Sequence, residues 1–180
     1  YKGDIASAAS WMKQSLDANT DLATMGEMWI EYLEYSLLLE DEKVLQELSS
    51  SKRNFREKEV IHKIYSALLT YNNGHLDQSL KGFNEIIFTP DSTTSQAVVL
   101  KYNYLKSLLL LEKGEFDESL VVAKKYLSLA QTTYTESHPI SAGYYEQICR
   151  IYNEKSDYGA AREFIEKLIY GMEADLGDGH

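Results

Sequence analysis

One short pattern recurs along this chain and limits what it can become. Gly3-Asp4-Ile5 with Ala8, Gly74-His75-Leu76 with Ser79, Gly114-Glu115-Phe116 with Ser119, and Ser156-Asp157-Tyr158 with Ala161 share one order. A small residue is followed by a polar one and a large apolar one, then by Ala or Ser three positions on. Glycine reaches the left-handed conformation that ends a helix without a Cβ clash. The polar residue stands where a second helix starts, and two of the four are Asp, a favoured N-cap. The large apolar residue lies one helical step from the small one, which lets two helices approach closely. The pattern reads as the turn of a helix hairpin, used again and again.

Counted from Gly3, Gly74, Gly114 and Ser156, the turns are 71, 40 and 42 residues apart. The first gap is about two repeats long, so a degenerate unit lies inside it. Its turn falls at Glu40-Asp41-Glu42, before Val44, Leu45 and Leu48, and its first helix carries Trp29, Tyr32, Leu33 and Leu37. A histidine keeps the same period: His138 in Ser137-His138-Pro139 returns as His180 in Asp178-Gly179-His180, 42 residues later. Helices are expected over 4–18, 22–38, 42–50, 57–72, 75–88, 94–112, 115–132, 140–154 and 158–175, with loops at 49–54 and 90–92. A hairpin of this size cannot bury its apolar face alone, whereas stacked copies build one continuous core. The expected fold is therefore an all-α, right-handed α-solenoid of antiparallel helix hairpins, with about nine helices and no sheet. Its end helices lack a neighbour, so Trp11 and the Tyr170 region should be partly exposed.

With these residues in place, the chain resembles the tetratricopeptide repeat family. That family's motif has an aromatic early in the first helix, a small residue in mid-helix, and Gly-x-aromatic-x-x-Ala across the turn. The matching small residues are Ala67, Ser107 and Cys149. Spacings of 40 and 42, with His-Pro opening a unit, are similar to the longer kinesin-light-chain variety. The chain departs from the motif at Glu40 and Ser156, where the turn glycine is missing, and only Pro90 and Pro139 mark unit ends. The resemblance implies one repeat domain over 1–180: a half unit (1–20), a degenerate unit (21–54), three units (55–90, 91–135 and 136–177) and the start of another (178–180). The opening inside a unit and the closing at the start of one lead us to expect a fragment of a longer protein.

Composition fits a packed domain, since 44% of the residues are apolar and only two prolines and ten glycines interrupt them. The longest apolar run, Leu108 to Leu111, falls far short of the roughly 20 residues that span a bilayer. Cys149 is alone, which excludes an internal disulfide, and no segment resembles a signal peptide. An intracellular, cytoplasmic setting is favoured. The net charge is −10, and the one stretch of opposite sign is 49–63, with five bases against two acids. A phosphate backbone needs clustered Lys and Arg, so nucleic acid is not an expected partner. Lys52, Arg53, Arg56, Lys58 and Lys63 read as a solvated loop and helix start, with a docking site for an acidic partner as the alternative.

Catalytic chemistry has little to stand on. His62, His75, His138 and His180 show no metal-ligand spacing, and His138 with His180 marks a unit entrance. Cys149 has no identifiable base beside it and sits where the family keeps a small buried residue. There is no Gly-rich phosphate loop, and no carboxylate pair stands out as an acid/base couple. No cofactor, metal or catalytic residue is expected.

Fourteen tyrosines are the larger signal. The resemblance puts Tyr152 and Tyr158 in the core. It implies that first helices line a concave groove holding a partner's peptide or helix. Carried over unit by unit, the groove positions are Glu31 and Glu34, then Tyr65, Leu68, Tyr71 and Asn72. Next come Lys101, Tyr104, Leu108 and Glu112, then Gln147, Arg150, Asn153 and Glu154. Tyrosine offers wide contact at low entropy cost, and amides can satisfy an extended peptide backbone. The alternative for Tyr65, Tyr71 and Tyr104 is packing between units. Relatives that grip acidic chaperone tails place Lys and Asn on this face, whereas Ile30 with Glu34, Ile64 with Leu68, Tyr104 with Leu108 and Glu146 with Arg150 stand here. The expected function is a protein-interaction scaffold; the alternative is the sensory or regulatory arm of a multidomain signalling protein, such as a transcription regulator or kinase.

Overall fold

The computed structural model describes residues 2–22, 24–39, 41, 43–88, 94–135 and 138–176. Among them are nine helices and no strand. They are α1 (Lys2–Ala18), α2 (Met25–Leu38), α3 (Lys43–Ser50), α4 (Lys58–Asn72) and α5 (Leu76–Asn84), then α6 (Gln96–Glu112), α7 (Phe116–Thr133), α8 (Pro139–Glu154) and α9 (Tyr158–Leu176). The chain forms two compact units, one reaching Val99 and one beginning at Leu100. Expectations on Glu40, Glu42, Pro90 to Ser92, Ser137 and Asp178-Gly179-His180 lie outside the described residues.

The turns are built alike because the same backbone problem is solved each time. A helix end leaves carbonyls without partners, and a left-handed residue after it folds two amides back onto them. Gly74 (φ 84°), Gly114 (φ 82°) and Ser156 (φ 59°) are the left-handed residues. Their own amides bond to Tyr71, Leu111 and Asn153 at 2.8–2.9 Å, and the next amides reach Thr70, Leu110 and Tyr152 at 2.8–3.1 Å. At the degenerate turn the amide of Asp41 makes the equivalent bond to the Ser36 carbonyl, 2.9 Å. The Asp N-cap holds at Asp157, whose Oδ1 accepts the Ala160 amide at 3.1 Å. Gly3 departs from expectation. It lies inside α1, with no left-handed backbone, so the first copy of the pattern is helix rather than turn.

Ser156 carries a Cβ where its counterparts do not. Ser156→Gly is expected to raise the unfolding free energy by about 1 kcal/mol, the usual left-handed penalty, and Gly114→Ala to lower it by a similar amount. Urea midpoints measure both; an unchanged midpoint for Ser156→Gly would mean that the serine is held there without strain.

In three of the hairpins the helices meet at small residues, twelve positions apart in two of them, where larger side chains would hold them away. Ser107 and Ser119 meet as a buried pair: Ser119 Oγ donates to the Ser107 carbonyl at 2.8 Å, and the two hydroxyls are 3.2 Å apart. Cys149 Sγ lies 3.4 Å from the Ala161 carbonyl. Ala67 occupies the matching place on α4, and a Cβ on Gly82 of α5 would stand 3.2 Å from the Ala67 methyl. Ser79 is the counterpart of Ser119, but Ala67 offers no hydroxyl, and Ser79 Oγ is buried with no hydrogen-bond partner. The three small residues expected in mid-helix are thus buried contact points.

The second unit packs Tyr144, Tyr145, Ile148 and Ile151 of α8 against Leu100, Leu111, Ala123, Leu127 and Ala130. Here period 42 becomes visible as burial. Ala123, Leu127 and Ala130 on α7 are 0, 5 and 0% exposed beneath α8, whereas their counterparts Ile165, Ile169 and Met172 on α9 are 46, 47 and 40% exposed. Trp11 and Tyr170 are exposed as expected, at 70% each. Tyr158 is exposed as well, so only Tyr152 of the two expected core tyrosines is packed, its ring 5.8 Å from that of Phe164.

Two helix ends in the first unit are closed by cations from beyond the helix. Arg53 donates to the carbonyls of Leu16 and Asp17 at the end of α1. Lys58 Nζ donates to the Ser49 and Ser51 carbonyls at the end of α3, 3.2 and 2.7 Å. A cation at a helix carboxyl end complements both the unpaired carbonyls and the dipole. These two residues are therefore helix caps rather than members of a solvated loop. Glu57 is buried at the opposite kind of end, accepting the Ser95 amide at 3.1 Å just before α6. Helix α5 ends at Asn84, short of the expected 88. Ile86 and Ile87 are β-branched and poor at continuing a helix, and Ile86 turns into the core with its amide on the Phe83 carbonyl, 3.1 Å.

Candidate partner-binding surfaces

In the second unit α6 and α8 place one aromatic ring among charges. Tyr104 is half-buried, meets Tyr144 edge-on (5.7 Å between centroids, 90° between planes) and lies under the Lys101 ammonium at 5.2 Å. A Cβ on Gly143 would come 3.5 Å from its ring, so the glycine leaves the tyrosine room against α8. Burial pushes the Tyr104 phenol up, Glu146 adds to that, and Arg150 opposes it. Arg150 in turn pairs with Glu112 at 3.6 Å. Lys101 and Leu108 are half-buried on α6, while Arg150, Asn153 and Glu154 are exposed on α8. Glu146, paired in the sequence reading with Arg150, lies close enough to Tyr104 to act on its phenol.

Gln147 does not join this surface. It is buried, and its Nε2 donates to Ser107 Oγ at 2.9 Å. Its neighbours on the helix, Tyr144, Ile148 and Ile151, are core residues, and the amide extends the serine pair rather than meeting a peptide backbone.

In the first unit the expected positions divide the same way. Tyr65 is fully buried and donates its hydroxyl to the Ile30 carbonyl at 2.9 Å. Burial alone drives its phenol far above the ordinary range. Leu68 is buried too, and both lie on the stripe of Ile61 and Ile64, so neither faces a groove. Glu31 and Asn72 are exposed, and Glu34 and Tyr71 half-buried.

The remaining candidates are structural. His138 caps α8, its Nδ1 accepting the Ile140 amide at 3.3 Å, and its ring stacks on Tyr134 at 4.2 Å. Burial, with help from Glu146, pushes the Cys149 thiol up, away from the thiolate a nucleophile needs. Among the described residues no three His, Cys, Asp or Glu side chains converge as metal ligands. No described helix is long and apolar enough to cross a membrane.

No family model matches the chain, and no curated protein does. Solved structures do. A candidate kinesin light chain from Podosopora anserina, with nearly identical TPR-like repeats, matches with a TM-score of 0.59 at 12% identity, over 96% of this chain and 89% of that one. A point variant of it matches with a TM-score of 0.61, also at 12% identity, over 97% and 89%. At that identity the likeness establishes the fold: this chain has the fold of TPR-like repeats.

Proposed function

We propose that the chain is a non-catalytic interaction scaffold, and that its second unit holds a peptide or helix of a partner protein on the face shared by α6 and α8. The observation that carries this is Tyr104, a half-buried ring braced by Tyr144 and Gly143 with Lys101, Glu112, Glu146 and Arg150 around it. A rigid aromatic with charges of both signs at its rim is the composition of an interface anchor. The ring loses little freedom on binding because it is already packed. An apolar partner residue sits beside Tyr104 and Leu108, while Arg150, Asn153 and Glu154 meet its polar flank. Glu31, Glu34, Tyr71 and Asn72 in the first unit are the secondary positions.

Peptides selected from a displayed random library against the whole chain test this. Tyr104→Ala is expected to weaken the selected peptides by about 10- to 100-fold, the range of an interface anchor. Arg150→Glu, on an exposed side chain, should change which charges the peptides carry while leaving helicity intact. Selected peptides that bind both folded variants as well as the wild type would place the interface elsewhere. Failure to select any peptide would end the scaffold reading for this face.

A further inference from the structure

Where α3 gives way to α4, the first unit carries a cleft that none of the positions above uses. Its larger part, about 710 Å³, has Leu48 and Phe55 as an apolar floor and Arg56, Lys58, His62 and Lys63 at its walls. Its smaller part, about 400 Å³, is lined by Leu45, Gln46 and Ser50. Ser49 and His62 line both parts, so the two are adjoining stretches of one surface.

We propose that this cleft binds an acidic peptide segment of a partner protein, seating a carboxylate among Arg56, Lys58 and Lys63 and a neighbouring apolar side chain beyond His62, against Leu45. The sign of the charge is the first reason. Three cations and one carboxylate, Glu59, line the larger part, in a chain whose net charge is −10. A local field opposed to that of the rest of the molecule steers and orients an anionic ligand. Lys58 is held in place by the carbonyls of Ser49 and Ser51, so its charge is fixed at the cleft without further ordering. Lys63 pairs with Glu59 at 2.6 Å, but both are exposed. Such a surface pair is worth little and can exchange partners.

Size and lining argue for a peptide. Each part is within the range of ligand sites, about 300–1,000 Å³, and far larger than a bound ion. A floor of Leu48 and Phe55 next to the Leu45 and Gln46 surface suits a chain that alternates charge with apolar groups.

The test uses the whole chain and a short dye-labelled peptide alternating glutamate with leucine, followed by fluorescence anisotropy. Saturable binding is expected, falling as salt is raised, and weakened about tenfold or more by the surface variant Arg56→Glu combined with Lys63→Glu. A glutamine-for-glutamate peptide should fail to bind, and Leu45→Asp should weaken the acidic peptide. Tyr104→Ala should leave it unchanged, since that residue belongs to the other unit and the other surface. Absence of binding, equal binding of the glutamine peptide, or unchanged affinity in the charge-reversed variant would each overturn the proposal. Displacement of the peptide by inorganic phosphate at comparable concentration would do so too, by making the cleft a phosphate site.

Discussion

Tyr144→Ala is expected to cost the second unit about 3–5 kcal/mol, the range for removing a large buried aromatic. Its ring is fully buried, packs edge-on against Tyr104, and its hydroxyl donates to the Leu100 carbonyl at 2.6 Å. Whole domains are stable by only about 5–15 kcal/mol, so the variant should lose its folded second unit well before the wild type does. Tyr144→Phe separates the two contributions. It keeps the packing and removes one buried hydrogen bond, for a loss of about 1 kcal/mol. Urea denaturation followed by circular dichroism reads both. An alanine variant within the error of the wild type would mean that α8 does not rest on this residue.

The second large effect is a contrast between two positions that the repeat makes equivalent. Leu127→Ala should destabilise by about 2–5 kcal/mol, as leucine truncation in a packed core does. Ile169→Ala, one period further on, should stay within about 0.5 kcal/mol, the usual range for a surface site. Leu127 lies under α8, and Ile169 is 47% exposed on α9. The amino acids are similar and the register is the same, so the difference isolates what a covering helix contributes. Equal losses at the two positions would show that the α9 stripe is covered in solution.

The helix hairpins were legible because what defines them is local. A left-handed residue followed by an N-cap is a property of a few consecutive residues, and Gly74, Gly114 and Ser156 all carry it. Ser156 was found without glycine's help, from its spacing and its flanking Asp157 and Tyr158. Gly3 shares the pattern yet lies within α1 without left-handed backbone, so the pattern alone does not make the turn. Burial of Ala67, Ser107 and Cys149 followed from the same logic, since close helix crossings exclude large side chains.

The surfaces were only half legible. Tyr65 and Tyr104 look alike in the sequence, yet Tyr65 is buried with its hydroxyl on Ile30, 35 residues away, while Tyr104 is only half-buried. Gln147 reads as a groove amide and is drawn inward by Ser107, 40 residues earlier. Arg53 and Lys58 read as a solvated basic run until the ends of α1 and α3 are brought beside them. Most helices and turns were readable from the chain alone because each depends on neighbours within about one or two helical turns, and the repeat showed because the same local turn recurs 40 and 42 residues on. Which tyrosine, amide or cation faces solvent was settled by packing. For Tyr65, Gln147 and Arg53 it depends on groups 35 to 40 residues away, and for Lys58 on carbonyls seven and nine residues back across a loop; no periodicity within one helix encodes either.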